Sequence, residues 1–459
     1  MTDKVEVLNP ATEEVIGVVP VATAADAETA VASARGAFDT WAALDNAERC
    51  ARLRPLLDAL RARARELAAL VVAETGAIGP LAKRLHVDTA LDHFEWFLDA
   101  GSRRAVEERD GPTKLVVREP VGVVGAITPY NFPFFLDIEK IAPALVAGNT
   151  VVLKPSPLTP LEALAIADVA EAAGVPPGVL SVITGGVDVG HVLTTDPRVD
   201  LVTFTGSDTV GAQVMAQAAP TLKRVLLELG GKSALIVRAD ADLDVATRFG
   251  LSQVTVQAGQ GCALCTRHLV QASVFDEYVE RLATMARAVV VGDPAGAGVG
   301  MGPLIRPQHV DRVDALVQAG VGEGATVVAG GRRPPDLDRG FFYEPTVLTG
   351  VDNRSTVART EIFGPVAVVI PFADDDEAVA LANDSAYGLG GAVWSADVDA
   401  ALAVALRVRT GYLTVNGGGG AMHPALPFGG YKRSGIGREL GIEGLDAYRE
   451  VKSIDLRVA

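Results

Sequence analysis

The chain has 459 residues, 49% apolar and 21% charged, an ordinary balance for a folded protein of two or three domains. Its formal net charge of −16, from 41 lysines and arginines against 57 acids, disfavours a general nucleic-acid binder. It leaves room for an anionic ligand held locally at a helix N-terminus. No apolar run reaches the roughly 18 residues of a membrane span, and Met1-Thr2-Asp3-Lys4-Val5-Glu6 has no signal-peptide core. Three cysteines do not read as a disulfide framework, so a reducing, cytoplasmic setting is expected.

The first hundred residues read as mostly helical. Residues 24–44 and 46–74 place apolar side chains at spacings of three and four, and Pro55 is expected to break or kink the second helix. Arg52, Arg54, Arg61, Arg63 and Arg65 interleave with Asp58, Glu66 and Glu74, which reads as a solvated helix face. Asp110-Gly111, between two short strand-like runs, predicts a hairpin. From Val121 strands and helices alternate. Strands are predicted at 121–127, 150–153, 180–184 and 201–204, with helices at 138–147 and 161–173, and further strands at 234–237, 269–272, 325–329 and 366–371. This pattern predicts an α/β protein whose parallel sheet is covered on both faces, its domains tightly joined.

The chemistry centres on Cys262, in Gly259-Gln260-Gly261-Cys262-Ala263-Leu264-Cys265, and on Glu228, in Leu227-Glu228-Leu229-Gly230-Gly231-Lys232. A thiol can capture a carbonyl carbon covalently, and a carboxylate can then activate the water that releases it. The flanking glycines let backbone approach a reacting carbon closely. A hydride acceptor must come from elsewhere in the chain. No G-x-G-x-x-G follows a strand; instead the strand Leu201-Val202-Thr203-Phe204-Thr205 runs into Gly206-Ser207 and a helix, which offers N–H groups to a diphosphate or simply caps the helix. Lys154-Pro155-Ser156 ends another strand, where parallel sheets bind ligands. Asn131, in Pro129-Tyr130-Asn131-Phe132-Pro133, could donate its amide to an oxyanion.

Together with Glu361-Ile362-Phe363-Gly364-Pro365 and Pro427-Phe428-Gly429-Gly430-Tyr431-Lys432, these motifs make the chain resemble the aldehyde dehydrogenase superfamily over nearly its whole length. The resemblance implies oxidation of an aldehyde to the acid through a thiohemiacetal and a thioester, with NAD or NADP as hydride acceptor. It assigns Cys262 as nucleophile, Asn131 and the Cys262 N–H as oxyanion hole, and Glu228 as base. It places Thr128, Pro129, Tyr130, Lys154, Ser156, Pro157, Gly206, Ser207, Leu229, Gly230, Glu361 and Phe363 about the cofactor. Among these, Lys154 and Glu361 are similar to ribose-binding residues, Ser207 to a diphosphate contact and Phe363 to a neighbour of the nicotinamide. It also implies a Rossmann-like dinucleotide-binding domain (1–101 and 121–231), a catalytic domain (232–442) and a small β oligomerisation flap (102–120 and 443–459). A homodimer or homotetramer is expected, with a small-molecule aldehyde as substrate and neither nucleic acid nor membrane as partner.

Four departures qualify the resemblance. Pro157 stands where many relatives have an acid, which would repel the 2′-phosphate of NADP, so NADP is expected to be tolerated. Tyr130 replaces a frequent tryptophan. Gly261 precedes the nucleophile and is expected to loosen its loop. Cys265 completes a Cys-x-x-Cys, read either as a small buried residue or as a disulfide partner of Cys262. The histidines His86, His93, His191, His268, His309 and His423 show no ligand spacing, and no metal is expected. Phe132, Phe135, Leu136 and Met422, with residues 416–424, suggest an uncharged, apolar or aromatic aldehyde. A CoA-acylating dehydrogenase, a silent protein on the same fold and a cofactor-free cysteine hydrolase are the alternatives; Glu228 argues against the first.

Overall fold

The computed structural model describes residues 3–419 and 422–457. Two large sheets dominate. The first holds six strands in the order Gly435–Ile436, Arg224–Glu228, Leu201–Thr205, Val123–Ile127, Thr150–Lys154, Leu180–Val182; all pair in parallel except Gly435–Ile436. Chain order reverses between Val123–Ile127 and Leu201–Thr205, and the carboxyl ends of those strands open a crevice suited to a ligand. The second sheet runs Thr326–Ala329, Thr346–Thr349, Val366–Phe372, Arg267–Gln271, Ala234–Val237, Gly391–Trp394, Thr414–Val415. Its edge strand Thr326–Ala329 is antiparallel to Thr346–Thr349, to which residues 330–345 connect it. The predicted hairpin is present as Glu107–Asp110 and Lys114–Pro120, and Arg449–Asp455 joins it as a third strand. Val458 and Ala459, at the end of the segment 443–459 expected to complete the flap, lie outside the described residues, as do Gly420 and Ala421 of the 416–424 stretch.

Three local expectations need correction. The chain opens with a hairpin, Lys4–Leu8 and Val15–Pro20, before its first helix. Pro55 breaks nothing: the helix Asn46–Ala62 passes through it and ends at Arg63 instead. The ring of Pro55 is exposed, while Leu53, Leu56, Leu57 and Leu60 on the other face are fully buried, and that burial outweighs one lost hydrogen bond. The helix expected from residue 138 starts at Pro133, since proline is favoured in the first turn, where its missing N–H costs nothing. This helix, Pro133–Ala147, is buried on almost every side and carries Asp137, Glu139 and Lys140 into the interior. Arg54 pairs with Glu95 and Asp99 and Arg61 with Asp92 and Glu95, as on a solvated face, but Glu74, expected there too, is fully buried and accepts from Leu161 N.

Candidate active site

Cys262 is reached by an unusual backbone path. Gln257, Ala258 and Gly259 adopt φ of 50°, 51° and 72° in succession, and such conformations persist in non-glycine residues only where packing enforces them. Here Gly259 lies against the backbone of Gly364, where a Cβ would sit 2.1 Å from the carbonyl oxygen. Gln260, fully buried, braces the loop: its Nε2 donates to Gln257 O (2.9 Å) and its Oε1 accepts from Ile305 N (3.1 Å). Gly261 does not take a left-handed conformation, and a side chain there would strike Leu264; its contribution is space, not the looseness expected of it.

Asn131 is buried, and its Nδ2 donates to Gln260 O at 2.8 Å. One amide N–H is thereby used to orient the side chain, and the other remains for a ligand. The same hydrogen bond ties Asn131 to the residue two positions before Cys262. Two prospective oxyanion donors, one from each sheet's connecting loops, thus share a single strut.

Glu228 ends the strand Arg224–Glu228 and is buried, with Oε2 lacking any partner. Burial pushes its carboxyl well above the usual carboxylate range; Glu439 adds to the shift, while Lys140 and Arg438 oppose it. Lys140 is already engaged, donating to Glu439 Oε1 (2.6 Å) and Thr203 Oγ1 (3.0 Å). Burial also pushes the Cys262 thiol up to about 12, with the charge of Glu228 next in weight. The resting pair is therefore a neutral thiol beside a carboxyl poised to gain a proton. Such groups, whose environments shift their proton affinity, mark reactive centres.

After Glu228 the chain turns through Gly230 and Gly231 because nothing larger fits. A Cβ on Gly230 would lie 2.3 Å from Glu361 Oε2, and one on Gly231 would lie 2.5 Å from Cys262 O. Gly231 N donates to Glu361 Oε1 at 3.0 Å. Burial raises Glu361 to about 7.

These residues meet at a cleft of about 510 Å³. Of the residues expected to form the site, Pro129, Tyr130, Asn131, Gly206, Ser207, Gly230, Cys262, Glu361 and Phe363 line it. Thr128, Lys154, Ser156, Pro157, Glu228 and Leu229 do not. Thr128 N donates to Lys154 O (3.2 Å), so both stand at the same sheet end beside the cleft. Lys154 Nζ donates to Pro155 O (2.8 Å) and Gly185 O (3.2 Å), and burial lowers its pKa to about 8. Ser156 Oγ caps its own turn by accepting from Leu158 N, Pro157 is exposed, and Leu229 packs with Phe204 in an apolar cluster. Ser207 caps its helix, its Oγ accepting from Val210 N (3.3 Å), and it lines the cleft.

Sequence reasoning missed Thr205, Arg306, Gln308, His309 and Arg312, which also line the cleft. All but Thr205 lie at the start of the helix Pro307–Gly322, and Pro307 in the first helical position was the available signal. Arg312 is held by the Ile362 and Glu361 carbonyls, behind the Glu361 side chain.

None of the apolar side chains expected about the substrate lines the cleft itself. Cys262, Phe135 and Met422 pack against one core cluster, together with Trp96 and Tyr412. His93 pairs with Glu139 (2.6 Å) and donates from Nε2 to Met422 O (2.9 Å); Phe132 stacks on His86 with centroids 4.5 Å apart. Cys265 belongs to a different cluster, with Tyr278 and Val254, and both cysteines are free thiols.

The family model for the aldehyde dehydrogenase family matches residues 1–454. The chain belongs to that family. Geranial dehydrogenase of Castellaniella defragrans is 44% identical over 463 residues, spanning 99% of this chain and 96% of its own length. Betaine aldehyde dehydrogenase of Bacillus subtilis is 39% identical, over 98% of this chain and 93% of its own. Among solved structures, a Mycobacterium tuberculosis aldehyde dehydrogenase complexed with NAD+ superposes with a TM-score of 0.97 at 44% identity, covering 100% of this chain and 95% of the other. A Pseudomonas syringae aldehyde dehydrogenase C mutant, complexed with NAD+ and octanal, reaches 0.96 at 40% identity, covering 99% and 93%. The fold and the order of the motifs are those of an aldehyde dehydrogenase throughout.

Proposed function

We propose that this aldehyde dehydrogenase oxidises an uncharged aldehyde to its carboxylic acid at Cys262, using NAD or NADP. The observation that carries the reading is the convergence of Cys262, Asn131, Ser207 and Glu361 on one cleft, with Glu228 immediately behind.

The cleft suits a dinucleotide. Gly206 and Ser207 start the helix Asp208–Ala218, whose free N–H groups favour a diphosphate, and Gly230 keeps the Glu361 carboxylate within reach of a sugar hydroxyl. When bound, the nicotinamide ring supplies the hydride acceptor. Cys262 Sγ attacks the aldehyde carbon while its proton passes toward Glu228. The Asn131 amide and the Cys262 N–H hold the resulting oxyanion. Loss of hydride leaves a thioester on Cys262, and Glu228 passes the thiol's proton to solvent; Glu228 then takes a proton from water and the hydroxide displaces the thiolate, giving the acid. Glu228 thereby supports the hydrolytic over the CoA-acylating reading.

The family's NAD-bound relatives support NAD, and exposed Pro157 brings no negative charge that would exclude NADP. Cys262, Phe135 and Met422 pack against the same apolar core, which favours an apolar or aromatic aldehyde, in line with the octanal-bound relative. We take 1–101 and 121–231 as the dinucleotide-binding domain, 232–442 as the catalytic domain, and 102–120 with 443–459 as an oligomerisation flap in a cytoplasmic homo-oligomer. The three-stranded sheet containing Arg449–Asp455, with Val451 exposed, supports the flap. An aldehyde panel run with each cofactor tests the reading: formation of NADH or NADPH with acid product is expected. Its absence across the panel, or its survival in Cys262→Ser, defeats it.

A further inference from the structure

The wall of the cleft contains a hydrogen-bond chain whose direction can be worked out from valence alone. An arginine Nε–H only donates. Arg306 Nε lies 3.0 Å from His309 Nδ1, so Nδ1 must present its lone pair. Burial, followed by the charges of Arg306 and Arg312, lowers the imidazole pKa to about 4, which keeps it neutral. Its single proton is then on Nε2. That nitrogen lies 3.0 Å from Tyr130 Oη, so the imidazole donates and the phenol oxygen accepts. The hydroxyl hydrogen of Tyr130 is consequently not used by His309.

The ring itself is packed by two neighbours. Tyr130 meets His309 edge-on (centroids 5.4 Å apart, 78°) and Phe363 likewise (6.2 Å, 82°). A phenol O–H lies in the plane of its ring. With His309 donating to the oxygen, the hydroxyl hydrogen is free for another acceptor. Burial raises the Tyr130 pKa, so the group stays a phenol at any working pH. Tyr130, His309 and Arg306 all line the cleft with Ser207 and Glu361.

We propose that Arg306 and His309 are positioning residues that hold the Tyr130 hydroxyl as a hydrogen-bond donor to an acceptor oxygen of the dinucleotide. The proposal rests on the dinucleotide reading above. It gives a purpose to the pairing of a tyrosine with a histidine from a distant segment, a pairing that tryptophan at 130 would not need.

Calorimetric titration of the full-length protein with NAD+ and, separately, ADP-ribose tests it. Tyr130→Phe should weaken binding about fivefold, the worth of one hydrogen bond. His309→Leu should give a smaller loss, because the freed hydroxyl can still turn toward the ligand. His309→Gln, which keeps an N–H donor, should restore most of it. In the double variant Tyr130→Phe with His309→Leu, binding should be no weaker than in Tyr130→Phe alone. Equal losses for both ligands place the acceptor on the ADP-ribose half, and a loss with NAD+ alone places it on the nicotinamide; either supports the donor. Thermal midpoints of the variants, compared with the parent, separate loss of a bond from loss of the fold. If Tyr130→Phe binds as tightly as the parent, or the two single losses multiply, the proposal is overturned while the dinucleotide reading stands. If the parent binds neither NAD+ nor NADP+ and reduces neither, both fall.

Discussion

Lys140 and Glu439, 299 residues apart in sequence, form a buried ion pair at 2.6 Å, and Glu228 stands next to it without a cation of its own. The charge of Glu439 raises Glu228 and that of Lys140 lowers it. Turnover that needs the Glu228 carboxylate should therefore rise with pH along a limb lying well above the ordinary glutamate range. Glu439→Gln should move that limb to lower pH, and Lys140→Met to higher pH, each by roughly one unit. A pH profile of kcat for the three proteins checks both directions. Opposite movements would show that another group sets the limb.

The same shift bears on stability. The folded-state pKa of Glu228 is raised, so its stabilising balance is fully present below the unfolded value and is lost as pH rises through the folded one. Glu228→Gln, which cannot ionise, should abolish acid production. It should also melt higher than the parent by a margin that widens from pH 5 to pH 8. A constant margin across that range would contradict the assignment.

Asn131 uses one N–H on Gln260 O and keeps the other. Asn131→Ala should lower kcat about a hundredfold or more, the usual cost of one oxyanion donor, while leaving NAD+ affinity within about twofold. Steady-state kinetics with a good aldehyde, alongside a binding titration, distinguishes this from a collapsed cofactor site, in which both would fail.

Cofactor choice tests the role of residue 157. The parent should use NADP with kcat/KM within about a hundredfold of that for NAD, and Pro157→Glu should depress NADP use about tenfold or more by placing a carboxylate near the 2′-phosphate. Discrimination by the parent against NADP of several hundredfold would show that something other than residue 157 decides.

Cys265 sits buried in the apolar cluster with Tyr278, outside the cleft that Cys262 lines. Cys265→Ala should cost about 1 kcal/mol of stability for the small void it leaves. Its recovery from peroxide by dithiothreitol should match the parent's. Worse recovery in the variant would restore the disulfide reading.

Much of the site was legible because its chemistry is written in single residue types. A cysteine among glycines and a glutamate before Gly230-Gly231 have few other reasons to occur, and strands that end in Gly206-Ser207 or Lys154 announce a crevice. Other parts depend on packing, which spacing does not encode. Pro55 looked like a breaker because its outward face could not be known before Leu53, Leu56, Leu57 and Leu60 found their partners. Arg306 and His309 reach the cleft because Val310, Val313 and Val317 seat their helix on the second sheet, with Val313 against Gly364. The Lys140–Glu439 pair joins segments that no local pattern connects.

One short strand has an implication for how the enzyme is made. Gly435–Ile436 pairs with Leu227 and Glu228, and Gly435 lies so close that a Cβ there would be 2.0 Å from Leu227 O. Everything from Glu228 to Gly435, including the entire second sheet, is synthesised between these two partners. A nascent chain still short of Gly435 on the ribosome leaves Glu228 at an open sheet margin, so the strand that carries the base gains its last neighbour only when translation is nearly done.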